Sequence, residues 1–238
     1  MDRKQVKKDR IRRLFLDAAK EIIRTEGVEN LTTKKIGDKA AYSYASIYNY
    51  FDNYNDLVCQ CMEEMAAETA LWVKERIAGD KPYDRLLSCA RLMIQANASN
   101  PNVYSIFLST NIDYGYFLRR DGHHFVHPTY IMLLEELSQF PEFRTAAAPV
   151  GAPPIPPPGS GEGEDEARRL SSFEAGLEDA SMHDVRVLAD ILTYTFHSKL
   201  HFYLRYHTPA SLNELQSDVE EECRFVIDSA LARAKLKG

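Results

Sequence analysis

Apolar residues recur three and four apart along most of this chain, and that spacing predicts a succession of amphipathic helices. Ile11, Leu14, Phe15, Ala18, Ile22 and Ile23 form one stripe, with Gly27 placed to stop the helix. Thr32 stands where an N-cap belongs, before a short helix whose inner face is Ile36 and Ala40. Ser43 is placed to cap a third helix, with Ile47 and Phe51 at i and i+4 turned inward. A longer pattern runs from about Asn55 to Ile77 through Leu57, Val58, Cys61, Met62, Met65, Trp72 and Val73, until Gly79, Asp80 and Pro82 break it.

The same period continues beyond that break. Pro82–Ala98 reads as a helix stopped before Pro101, and a shorter segment follows around Asn102–Asn111. Tyr114–Phe117 is either loop or helix end, and another helix spans roughly His127–Phe140. Two strong helices close the chain. Ser181 and Asp184 open a stripe of Val185, Leu188, Ala189, Leu192, Phe196, Leu200 and Tyr203. Ser211 and Glu214 form a capping box before Leu215, Val219, Cys223, Val226, Ala230 and Ala234. Period-2 runs bounded by hairpin turns are missing, so the expected fold is all-α. Residues 141–166 stand apart: seven of the eleven prolines lie there, followed by Gly159–Gly163 and an acidic run. This Pro/Gly-rich composition predicts a loop between packed helices.

Composition alters this picture only when the chain is divided. A net charge of −6 suits a nucleic-acid partner poorly, but residues 1–57 carry 12 Lys/Arg against 9 Asp/Glu, and the remainder 17 against 26. Residues 3–13 concentrate the excess, with Arg3, Lys4, Lys7, Lys8, Arg10, Arg12 and Arg13 set against Asp9 alone. A basic head on an acidic body directs phosphate binding to one end. Cys59, Cys61, Cys89 and Cys223 lack C-x-x-C or metal-finger spacing and read as small apolar residues in a reducing compartment. Neither a leader segment nor a transmembrane stretch is legible, which makes a cytoplasmic location the expectation.

Leu31–Leu57 holds two short helical patterns around a small-residue turn, the second dense in hydroxyls and aromatics, as a helix-turn-helix requires. The N-terminal turn at Thr32, Thr33, Lys34 and Lys35 offers backbone N–H groups, hydroxyls and ammonium groups to one phosphate. Ser43, Tyr44, Ala45, Ser46, Tyr48 and Asn49 take the outer side of the third helix if Ile47 and Phe51 are buried. Asn49 suits adenine and Ala45 a thymine methyl, while the Tyr48 and Tyr50 hydroxyls reach towards phosphates. For Tyr50, packing against the first helix is the equal alternative.

Residues 10–57 resemble the DNA-binding domain of the TetR family of bacterial transcriptional regulators. The pattern is Leu14-x-x-x-Ala18-Ala19, Gly27, Thr32-Thr33, Ile36, Ala40, Ser43, then Ile47-Tyr48-x-Tyr50-Phe51 and Leu57. The chain departs from the family at three points. Ala41 replaces the usual turn glycine, Tyr50 the common histidine, and Tyr54 the lysine that grips a phosphate in the family, which keeps Tyr54 among the DNA-binding candidates. Losing that lysine shifts electrostatic work to the basic arm.

The resemblance implies a helical ligand-binding and dimerisation domain over residues 58–238, after a 1–57 DNA-binding domain. Met62, Met65, Trp72, Met93, Phe107, Tyr114, Phe117, Phe125, Tyr194, His197 and His201 are the candidate ligand residues, and a small apolar or aromatic organic molecule the expected ligand. For any one of them, ordinary core is the competing reading. The histidines also allow a metal-sensing regulator, although no Cys or carboxylate stands at ligand spacing. Catalytic motifs are missing, as are cofactor motifs, so no enzyme is expected. The expectation is a homodimer joined through helices 181–207 and 211–236 that represses from a near-palindromic duplex operator. A DNA-binding architectural protein, dimerising but sensing nothing, is the alternative.

Overall fold

A computed structural model describes residues 3–121, 125–143 and 183–237, and those residues contain helices and turns but no strand. The helices are α1 (Arg3–Glu26), α2 (Thr33–Ala40), α3 (Tyr54–Lys74), α4 (Pro82–Ala98), α5 (Pro101–Ser105), α6 (Gly115–Asp121), α7 (Pro128–Leu137), α8 (His183–Tyr206) and α9 (Leu212–Lys237). Short 3-10 turns lie at Val28–Asn30, Tyr44–Asn49, Ile106–Leu108 and Pro141–Phe143. The Tyr114–Phe117 ambiguity resolves to the start of α6. Ser181, His123, His124 and residues 144–166 lie outside the described residues, and with them most of the Pro/Gly-rich loop.

The chain packs as two compact units, one of Met1–Ala67 with Ser99–Phe125 and one of Glu68–Ala98 with Val126–Gly238. The first therefore extends past Leu57 and takes in residues 99–125, which sequence alone groups with the body. Its core combines Phe15, Leu16, Ala19 and Ile23 of α1 with Ile36 of α2, Ile47, Phe51, and Leu57, Met62 and Met65 of α3. Val103, Ile106, Tyr116 and Phe117 close it from the α5–α6 segment. Leu14 leaves the expected stripe and is 41% exposed. Ile11, Phe15, Ala18 and Ile22 already fill the inner face, and Leu14 lies to one side of it.

Ion pairs join α1 to α3. Glu64 accepts from Lys20 at 2.6 Å and from Arg13 at 2.7 and 2.8 Å, so the buried Lys20 ammonium is compensated. Polar contacts also hold the α5–α6 segment. Buried Asp56 accepts from the Tyr116 hydroxyl at 2.5 Å, Asn55 and Asp113 exchange two hydrogen bonds, and Arg120 forks onto Glu63. Glu29 accepts from Ser109 and Asn111, each at 3.1 Å.

In the second unit, α8 buries Val185, Leu188, Ala189, Leu192, Phe196 and Leu200, while Tyr203 is only half-buried. The stripe of α9 is Leu215, Val219, Cys223 and Ile227, with Val226 half-buried in place of the expected inward position. Half of the α9 capping box forms as expected, with Glu214 N–H donating to Ser211 Oγ, while Glu214 Oε2 accepts from Ala210 N–H at 3.0 Å, one residue before the cap. Arg85 of α4 forks onto buried Glu136 of α7 at 2.6 and 2.9 Å. All four cysteines are buried thiols, and burial pushes each of them up, Cys59 and Cys223 to about 12.

Candidate nucleic-acid interface

Thr32 begins the candidate interface. Its extended backbone lets the hydroxyl accept from Lys35 N–H at 3.2 Å, capping α2. Thr32, Lys34 and Lys35 are exposed around that first turn and Thr33 is half-buried. Lys35 Nζ also lies 2.5 Å from Glu26 Oε2 on the surface of α1.

The corner after α2 is tight because two small residues make it so. Ala41 adopts the left-handed conformation, φ 59° and ψ 36°, so the missing glycine is met by strain and not by a different turn. Gly37 supplies the close approach. A Cβ there would lie 2.9 Å from Tyr42 O and Tyr44 N, and 3.0 Å from Tyr44 Cα. The Tyr42 N–H closes the corner on Gly37 O at 2.9 Å.

Here the structure departs from the expected third helix. Tyr44–Asn49 is a 3-10 turn, and Ser43 makes no side-chain cap; its hydroxyl pairs with Ser46 Oγ at 2.7 Å. Six residues that include two Tyr, Ser, Ile and Asn have little α propensity, and the hydroxyl pair competes with capping. The anchoring nevertheless follows the sequence: Ile47 and Phe51 are buried. Around them Ser43, Tyr44, Ala45, Tyr48 and Asn49 are exposed, Tyr44 at 60% and Tyr48 at 54%, and Ser46 is half-buried. Tyr42, which sequence reasoning passed over, joins this exposed rim; its position next to the turn was the available signal.

Two candidate tyrosines turn the other way. The half-buried Tyr50 ring lies 5.7 Å from Phe15, the α1 packing alternative. The Tyr54 hydroxyl donates to Leu31 O at 2.9 Å, and burial, with Cys61 and Glu29 nearby, pushes its pKa up to about 12. Tyr54 is thus a protonated strut tying the start of α3 to the entry of α2. That bond commits the hydroxyl to the protein backbone.

The candidate ligand residues are divided. Met62, Met65, Phe107, Phe117 and Phe125 belong to the first unit, where Met62, Met65 and Phe117 are core and Phe107 stacks on Phe125. Tyr114 is in that unit too, its hydroxyl donating to the Phe107 carbonyl at 3.2 Å. Trp72, Met93, Tyr194, His197 and His201 belong to the second. There Met93 is buried, Trp72 lies under the Arg76 guanidinium at 4.6 Å, and His201 is exposed. Tyr194 is 73% exposed on the outer face of α8, so as a lining residue it has no enclosing walls within its unit. His197 sits 6.0 Å from His127, centroid to centroid; burial, then its neighbour, pushes His127 down to about 3. Among the described residues no three His, Cys, Asp or Glu side chains gather as a metal site would need, and no helix is long and apolar enough to cross a membrane.

Residues 15–61 match the family described as bacterial regulatory proteins, tetR family. No curated protein matches the sequence. Among solved structures, the chain is similar to a protein of Pseudomonas aeruginosa PAO1 described as a transcriptional regulator, with 14% identity, 95% of this chain and 92% of that one covered, and a TM-score of 0.54. It is also similar to RolR solved without ligand, with 12% identity, 92% and 94% coverage, and a TM-score of 0.51. At such identities the likeness is one of fold. It is therefore the helix-turn-helix segment, residues 15–61, that matches the tetR family of bacterial regulatory proteins.

Proposed function

We propose that this protein is a cytoplasmic, homodimeric repressor that leaves a near-palindromic duplex operator when a small apolar or aromatic molecule binds its body. The observation carrying this reading is the exposed rim of Ser43, Tyr44, Ala45, Tyr48 and Asn49 around fully buried Ile47, beside the capped, lysine-bearing start of α2. A rigid anchor beneath a small, hydroxyl-rich surface suits close approach to base edges and phosphates. Within the body, Met93 and His197 of the second unit remain the best-enclosed ligand candidates. The inducer must prefer the DNA-incompetent arrangement, since equal affinity for both shifts nothing.

An outer stripe on α8 supports the dimer: Val187, Ile191, Tyr194, Phe202 and Tyr206 are all exposed, and Phe225 of α9 is 74% exposed. Apolar side chains at this spacing call for a cover, and the same pair of helices from a second copy supplies a self-complementary one.

Selection of duplexes from a random library by the purified protein tests the reading. Enrichment of paired half-sites about one helical turn apart is expected. A library left unenriched removes it. A compound screen by thermal shift then separates a sensor from an architectural protein, which no ligand would stabilise.

A further inference from the structure

The first packed residue of α1 is Ile11, yet the helix begins at Arg3. Residues 3–10 are thus about two helical turns, roughly 12 Å of helix, with every side chain exposed. Five of these eight residues are basic. Arg3, Lys7, Lys8 and Arg10 make no ion pair among the described residues, and the one acid, Asp9, accepts from Gln5 at 2.7 Å. By contrast, Arg12 and Arg13 already have partners on the fold, Arg12 in Gln60 and the Phe51 ring, Arg13 in Glu64.

Such a helix has little to hold it on its own. Its first turn contains no acid to offset the macrodipole, and Arg3 and Lys7 repel at i,i+4. A polyanion would reverse both terms. The position is suited to one. Ion pairs Lys35–Glu26 and Lys39–Glu21 show α2 running back along α1. Phe15 then meets Tyr42 at 5.5 Å and Tyr50 at 5.7 Å, so the exposed corner sits level with Phe15 and Arg12. The helix from Arg10 to Arg3 continues past that corner. Lys8 extends the line of Ile11 and Phe15 that faces it, while Arg3, Lys7 and Arg10 align on an adjoining face.

We propose that residues 3–10 are a helical phosphate-binding extension that lies along the duplex backbone beside the segment contacted by the corner, replacing the family lysine that Tyr54 supplants. Being helical, the arm tracks phosphates and does not thread the minor groove as an extended chain would. The proposal rests on the DNA-binding reading above.

The test is fluorescence anisotropy of the full-length protein on a labelled random-sequence 30-bp duplex, with salt varied between about 50 and 200 mM. The fourfold variant R3Q/K7Q/K8Q/R10Q should bind at least about tenfold more weakly at the low-salt end, with the salt slope reduced by roughly 2 to 4, at about 0.9 per phosphate contact. R3K/R10K should keep the slope, and the urea midpoint of the fourfold variant should match the parent, since no buried group is touched. An unchanged slope in the fourfold variant, with Y48A weakening binding, overturns the arm and spares the helix-turn-helix. A parent protein that does not bind duplex overturns both.

Discussion

Exchanging the corner residues should move stability in opposite directions. Ala41 sits at φ 59°, where an L-residue costs roughly 1–2 kcal/mol, and Ala41→Gly removes that cost. Glycine also loosens the unfolded chain by about 0.4–1 kcal/mol, leaving a net gain of about 0.5–1 kcal/mol. Gly37→Ala is the converse. Its Cβ would meet three backbone atoms at 2.9, 2.9 and 3.0 Å, and backbone cannot rotate away as a side chain could. The corner must shift by several tenths of an ångström, at a cost of about 1–3 kcal/mol by analogy with overpacked cores. Because two of those atoms belong to Tyr44, the shift should also lower affinity for duplex DNA. Urea unfolding of the full chain gives the stabilities and anisotropy on duplex DNA the affinities. A neutral Gly37→Ala, or an Ala41→Gly less stable than its parent, would refute the tight corner.

Tyr54→Phe should cost about 0.5–1.5 kcal/mol in urea unfolding through the lost bond to Leu31 O, with duplex affinity retained. Tyr48→Phe should do the reverse, lowering affinity while leaving stability unchanged, because its side chain is exposed. The folded His127 imidazole resists protonation down to about 3, while the unfolded one titrates near 6.5. The unfolded chain therefore binds the extra proton between those limits. The resulting stability is complete above about 6.5 and declines as pH falls toward 3, and His127→Gln should flatten that decline in urea midpoints measured across pH.

Local periodicity made most helices legible, because a 3.6-residue repeat reports directly on which face is buried. Ile47 and Phe51 were found in this way, and so was the α9 stripe as far as Cys223. Leu14 was misplaced because an apolar residue bordering a stripe has the same spacing as one inside it. The 3-10 form of Tyr44–Asn49 was hidden because six residues hold too few repeats to separate three per turn from 3.6. Tyr54 was misjudged for a different reason. Its partner, the Leu31 carbonyl, lies 23 residues away, and backbone acceptors leave no mark in a sequence. The polar docking of residues 101–121 was out of reach likewise: Asp56–Tyr116 and Glu63–Arg120 are long-range pairs among many charged residues that look alike.

The Lys35–Glu26 pair decides how much charge the start of α2 presents. Both side chains are nearly half exposed, at 43% and 45%, so their 2.5 Å contact is worth at most about 1 kcal/mol in water. A phosphate approaching the α2 N-terminus offers Lys35 a second anion together with backbone N–H donors, and the ammonium should exchange partners at little cost. Glu26→Gln removes the competitor outright. Affinity for duplex DNA should rise by roughly two- to fivefold, since up to about 1 kcal/mol is no longer lost on exchange. Added positive charge alone could raise affinity too, so the decisive measurement is the cycle with Lys35→Gln. If Glu26 acts through Lys35, its effect should largely vanish in the Lys35→Gln background; an equal rise in both backgrounds would assign it to net charge and leave Lys35 without a phosphate.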